Sequence, residues 1–139
     1  MFKNEILITQ SYVLSKQEKK ELAKILSKSY DAKHIDYIIK NFQNLSFHKI
    51  SGSKKRVMFF DNNPIFFEFE MDLFYPTVYL LNLLPNLMQE RKCFIYDETD
   101  GYLANGADLM LKGIINRADI KKNVKFKLND IFCVETLSG

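Results

Sequence analysis

The apolar positions along the chain change period several times, and each change marks a predicted element. Residues 5–13, EILITQSYV, have strand-like content and end at SKQE. There Ser15 followed three residues later by Glu18 forms the pattern of a capping box, so a helix is predicted to start. Leu22, Ile25, Leu26 and Tyr30 recur at helical spacing, while Lys16, Lys19, Lys20, Lys24 and Lys28 lie mostly on the other side. Asp31 is placed to cap a second helix with Ile35, Ile38, Ile39 and Phe42 inward, giving a helical hairpin. Three strand-like runs come next: SFHKIS (46–51), KRVMFF (55–60) and IFFEFE (65–70). Gly52-Ser53-Lys54 joins the first pair and DNNP (61–64) the second. In the third run Phe67 and Phe69 share one face and Glu68 and Glu70 the other, which predicts a small antiparallel sheet covered on one side.

FYPTVYLLNLLP reads as a third helix, with Pro76 at its first position, Val78, Leu80, Leu81 and Leu84 on its apolar face, and Pro85 as its stop. Residues 86–91 read as a linker, 92–96 as a strand, and DETDG as an acidic turn opening a short helix that ends at Asn105-Gly106. ADLMLKGII then reads as an extended run to Gly113, with Leu109, Leu111 and Ile114 as inward candidates. VKFKL and DIFCVETL, split by Asn129, read as a last pair of strands. The fold class is therefore α+β, with a helical hairpin and small antiparallel sheet over residues 1–88 and a β-rich domain over 89–139.

Charge is uneven along the chain. Residues 1–60 hold 12 basic and 5 acidic side chains, 61–100 hold 2 and 8, and 101–139 hold 6 and 4. Two basic regions flank an acidic middle, a pattern that suits either RNA phosphates on selected faces or solvated helices. With 12 Phe and 7 Tyr but no Trp, the interior is expected to be aromatic and aliphatic, with some rings left at the surface. Cys93 and Cys133 sit in apolar runs without the spacing of a metal knuckle and read as free thiols in a reducing compartment. MFKNEILIT lacks the apolar core of a signal peptide, and no run approaches the roughly 20 apolar residues that span a bilayer, so a cytoplasmic protein without a membrane partner is expected.

Catalytic chemistry finds little to work with, and neither a catalytic group, a metal nor a cofactor is expected. There is no glycine-rich phosphate loop and no paired-histidine motif; His34 and His48 read as structural. Asp97, Glu98 and Asp100 admit a reading as an acid/base or metal cluster, but acidic groups at a helix start also complement the helix dipole. Binding finds more. Lys54, Lys55 and Arg56 sit at a hairpin tip, Lys16, Lys19 and Lys20 lie on the first helix, and Arg117, Lys121, Lys122, Lys125 and Lys127 surround the last strands. Such cations release counterions when they neutralise phosphates, so RNA recognised by shape is the expected ligand.

NPIFFEFEMDLFYPTVYLLNLLP and NGADLMLKGII together resemble the N-terminal module of ligatin, the eukaryotic initiation factor of the 2D class, and its shorter relative the malignant T-cell amplified protein. The resemblance implies an N-terminal α+β domain leading into a PUA domain, a small β pseudo-barrel that binds RNA. By that resemblance Gly106, Lys112 and Gly113 face RNA, the glycines admitting its backbone closely. It further implies a non-catalytic translation factor on the rRNA of the small ribosomal subunit, assisting tRNA placement or release in initiation, reinitiation or recycling. A partner similar to the density-regulated protein is implied too, because the family's initiation-factor-like domain has no counterpart here. Two positions depart from the family pattern. Lys112 stands where the family has Pro, and the strands expected of a PUA barrel stop near Thr136, which predicts a truncated barrel with an open edge. A ribosome-bound structural or dormancy protein and an RNA-targeting module of an RNA-modifying enzyme remain alternative readings.

Overall fold

Ser15 starts the first helix as its spacing to Glu18 predicts. Its hydroxyl accepts from the Glu18 N–H at 3.2 Å, and the Glu18 carboxylate accepts from the Ser15 N–H at 3.3 Å. The computed structural model that shows this describes residues 8–88, 91–109 and 132–138. Helix α1, Lys16–Leu26, buries Leu22 and Leu26 and leaves Ile25 half-buried. Asp31 caps α2, Ala32–Asn41, by accepting from the Lys33 N–H at 2.9 Å, a cap of the kind that contributes about 1 kcal/mol. Ile35 and Ile38 on α2 are fully buried.

The chain divides into two compact units, residues 1–87 and 88–139. In the first, β1 (Ile8–Val13), β2 (Ser46–Ile50), β3 (Arg56–Phe60), β4 (Asn63–Glu70) and β5 (Leu73–Pro76) form one sheet in that order, each strand antiparallel to the next. The β3–β4 connection is shorter than the expected DNNP. Asp61 and Asn62 alone make the turn, both with positive φ (51° and 63°), the backbone a two-residue hairpin needs to match strand twist. Asn63 and Pro64 belong to β4. A second correction concerns FYPT: Leu73–Pro76 is a strand, and Thr77 rather than Pro76 begins the helix α3, Val78–Leu83. The Thr77 hydroxyl accepts from the Leu80 N–H at 3.2 Å and donates to the Pro64 carbonyl at 2.7 Å, so one side chain caps α3 and ties it to β4.

The covered face of the sheet carries Phe47, Met58, Phe66 and Phe74. Tyr30, between the helices, sets its ring 5.7 Å from Phe66 and donates its hydroxyl to the Phe74 carbonyl at 2.6 Å. At the end of α2, Phe42 stacks on Phe60 at 4.4 Å. Two bulges break strict alternation along β4. Met58 pairs with Phe66 but Phe59 with Pro64, so Ile65 is an extra residue, and Ile65 and Phe66 are both buried. Glu68 pairs with Phe74 but Glu70 with Leu73, so Phe69 is extra as well. The result reverses the apolar-in expectation for IFFEFE: Glu68 is 4% exposed and Phe69 is 45% exposed.

In the second unit β6, Lys92–Ile95, pairs in parallel with β7, Cys133–Thr136. Leu87 and Met88, in the segment expected to be a linker, are buried. Helix α4, Asp97–Ala104, starts directly at Asp97, so the acidic residues form its first turn rather than a turn before it. It closes as expected. Gly106 has φ +88°, its N–H donates to the Leu103 carbonyl at 2.9 Å, and the Ala107 N–H donates to the Tyr102 carbonyl at 3.0 Å, the two bonds of a Schellman motif. The strands expected from ADLMLKGII and VKFKL, and with them the expected pseudo-barrel, lie largely outside the described residues.

Candidate nucleic-acid interface

The β2–β3 loop, residues 51–55, brings the expected hairpin-tip cations together, with Gly52 at φ +70° in the turn. Their uses differ. Lys54 is exposed. Lys55 sets its ammonium 4.9 Å from the centre of the Phe69 ring, a cation–π contact. Arg56 turns to the covered face, whereas a hairpin-tip cation is expected to project outward. Its Nε donates to Glu68 Oε1 at 3.1 Å and its Nη2 to Glu68 Oε2 at 2.9 Å, a bidentate ion pair. The guanidinium lies over Phe47 at 4.4 Å, with Asp72 at 3.6 Å. Glu68 also accepts from the Asp72 N–H at 2.9 Å, in a turn where Asp72 has a positive φ (59°). The hydrogen bond to Glu68 holds the guanidinium above its usual pKa, against the opposing effect of burial.

The tips of the β2–β3 and β4–β5 hairpins border an open cleft. Lys54, Lys55 and Arg56 line it on one side and Glu68, Glu70 and Asp72 on the other, three cations against three anions. Phe69 stacks on Tyr75 with centroids 5.4 Å apart, and Phe67 meets the same ring edge-on at 5.5 Å. Burial, and secondarily the Glu70 charge, push the Tyr75 phenol up from its ordinary pKa. Further along this face His48 lies 4.2 Å from Phe59 and shares a hydrogen bond with the Ser46 hydroxyl at 3.2 Å. Sequence reasoning missed this half-exposed aromatic row and the Glu68 ion pair. Neither carried a sequence signal, because the β-bulge between Met58 and Phe59, and not the Asp61-Asn62 turn alone, sets which residues of β4 lie opposite Arg56 and Val57.

Of the C-terminal residues expected at an RNA face, Gly106 is described and serves as the helix stop. Among the described residues, its chain neighbours aside, no atom lies within 4 Å of a Cβ built there. Lys112, Gly113, Arg117, Lys121, Lys122, Lys125 and Lys127 lie outside the described residues. Glu98 and Asp100 are exposed on α4, and Asp97 accepts from the Ser138 hydroxyl at 3.1 Å. Among the described residues no three histidine, thiol or carboxylate groups are placed to share a metal ion, and no helix is long and apolar enough to cross a membrane. Cys93 and Cys133 are free. Burial pushes both thiols up; the neighbouring Cys133 adds to the effect at Cys93 and Glu135 to that at Cys133, where Lys92 opposes it.

Residues 2–85, the helical hairpin, the five-stranded sheet and α3, match the family described as the Pre-PUA-like domain. The chain belongs to that family. The Pre-PUA-like protein also has neighbours among solved structures. A hypothetical protein from the archaeon Pyrococcus horikoshii OT3 matches with a TM-score of 0.64 and 20% identity, over 92% of this chain and 75% of that one. A conserved PUA domain protein from Thermoplasma acidophilum matches at 0.60 and 18%, over 94% and 74%. A PUA domain from Aeropyrum pernix K1, solved as a tartrate complex, matches at 0.55 and 22%, over 77% of this chain and 57% of its own length. At these identities the likeness is one of fold. A comparison with curated proteins finds no match.

Proposed function

We propose that this protein is a non-catalytic RNA-binding translation factor that associates with the small ribosomal subunit and assists tRNA placement or release. The observation that carries the reading is the Pre-PUA-like match over residues 2–85, because that unit accompanies PUA domains and PUA domains in general bind RNA. The resemblance of NPIFFEFEMDLFYPTVYLLNLLP and NGADLMLKGII to the ligatin and malignant T-cell amplified protein family supports the finer assignment to translation, and with it a partner resembling the density-regulated protein. In this proposal Lys112, Arg117, Lys121, Lys122, Lys125 and Lys127 supply phosphate contacts from the C-terminal half.

Co-sedimentation with purified small and large ribosomal subunits across a salt series, with and without initiator tRNA, tests the proposal. Salt-sensitive binding to the small subunit alone, weakened in a Lys112→Glu/Lys125→Glu variant, is expected. Binding to neither subunit would overturn the translation assignment. Tight subunit binding without any effect on tRNA would replace it with a structural or dormancy role.

A further inference from the structure

The two cationic surfaces of the Pre-PUA-like unit differ in how far their charge is already neutralised. At the hairpin-tip cleft three cations face three anions, and Arg56 is closed onto Glu68. That surface has almost no net field with which to attract a phosphate. On α1 the balance is different. Residues 15–28 hold five lysines and two glutamates, a net charge of +3. Both glutamates are otherwise engaged: Glu18 closes the capping box, and Glu21 accepts from the Gln17 amide at 3.3 Å. Among the described residues no ion pair involves a lysine of α1.

Helical geometry orders these lysines. Lys16, Lys20 and Lys24 succeed one another at intervals of four and are exposed, on the side of α1 away from the buried Leu22 and Leu26. Four residues of helix rise about 6 Å, so the three form a stripe about 12 Å long, with Lys28 exposed just beyond it. Three cations so spaced on one exposed face can each neutralise a neighbouring phosphate of one strand.

We infer that the phosphate-binding surface of the Pre-PUA-like unit is the Lys16–Lys20–Lys24 stripe of α1, and that its ligand is the sugar–phosphate backbone of folded RNA. The inference rests on the RNA-binding reading above and identifies the surface within this unit. Nothing on the stripe reads bases, so it contributes affinity and orientation independent of sequence.

The test compares the full chain with two variants, Lys16→Gln/Lys20→Gln/Lys24→Gln and Lys54→Gln/Lys55→Gln, binding a fluorescent RNA duplex over a salt series. Glutamine is a good helix former, and far-UV circular dichroism checks that α1 is retained. Each phosphate contact contributes about 0.7 to 0.9 to the slope of log affinity against log salt. The triple variant is therefore expected to lower that slope by about 2 to 3, and the hairpin-tip variant to leave it unchanged within about half a unit. An unchanged slope in the triple variant would overturn the stripe while leaving RNA binding intact. Loss of slope in the hairpin-tip variant alone would move the surface to the cleft. Absence of salt-sensitive binding by the wild type would overturn the stripe and the RNA-binding reading together.

Discussion

The Arg56–Glu68 pair should respond very unequally to loss of one partner or the other. Glu68 has a side chain only 3% exposed and accepts three hydrogen bonds, two from Arg56 and one from the Asp72 N–H. Arg56→Met keeps an apolar stem over Phe47 but strands a buried carboxylate with a single donor. Removing one partner of a buried pair typically costs about 3–5 kcal/mol, and this substitution is expected in that range. Glu68→Met leaves Arg56, whose side chain is 24% exposed and has Asp72 at 3.6 Å. Water and that carboxylate compensate in part, so the expected cost falls to about 1.5–2.5 kcal/mol. The double variant leaves no unpaired charge, and should be more stable than Arg56→Met alone, which requires a coupling larger than the Glu68→Met cost, about 2–3 kcal/mol across the cycle. Urea unfolding followed by far-UV circular dichroism, with the slope of the transition compared between variants, measures all three. Equal single costs that simply add in the double variant would refute the reasoning, because they would mean that neither charge depends on the other.

Three further expectations concern single positions. Thr77→Ala removes a cap and the bond to Pro64 and should cost about 1–2 kcal/mol, whereas Thr77→Ser should recover most of it; thermal unfolding of both variants checks this. Gly101→Ala and Gly106→Ala should act in opposite directions although, among the described residues, neither new Cβ would meet an atom within 4 Å beyond its chain neighbours and its own helix backbone: the first, inside α4, stabilises by about 0.5–1 kcal/mol, and the second, at φ +88°, destabilises by about 1–2 kcal/mol. Paired melting curves should show the sign change. Because both thiol pKa values are raised, thiolate is scarce at neutral pH, and Cys93, 3% exposed, should react with a thiol reagent much more slowly than an unfolded control. The same shift has a pH signature. The stability these protonated thiols contribute is fully present below the ordinary thiol pKa and lost as pH rises through their raised values, so melting temperatures should fall on the alkaline side and fall less in Cys93→Ala.

Helix starts were legible from sequence because a capping interaction is local: Ser15 with Glu18 and Asp31 with Lys33 lie within three residues of one another. The Asn105-Gly106 stop was legible for the same reason. Strand faces were not. The Asp61-Asn62 turn sets Phe60 opposite Asn63, and that register, run back without interruption, would place Arg56 opposite Phe67. The bulge at Ile65 shifts it by one, pairs Val57 with Phe67, and so brings Arg56 opposite Glu68. One extra residue thus decides that a glutamate goes inside and a phenylalanine stays outside, and period-two reasoning has no term for it. Pro76 misled for a different reason. Its fixed φ suits the end of a strand as well as the first turn of a helix, and only the hydroxyl of Thr77 decides between them. The cations of the candidate interface were visible as residues, but the availability of Arg56 depended on Glu68 and Asp72, which meet it from β4 and the turn after it.

The connections of the sheet also bear on the order in which it forms. Strands β2 to β5 are joined by segments of five, two and two residues, but β1 reaches β2 only after residues 14–45. Closing that longer loop as free chain costs roughly 1.6 kcal/mol more than closing the five-residue one. The helical hairpin lowers the burden by folding the intervening chain locally, so docking of the first strand should be coupled to formation of α1 and α2 and should come after the meander. Until then β2 is an open edge able to pair with another chain, and arrival of the first strand ends that opportunity for aggregation.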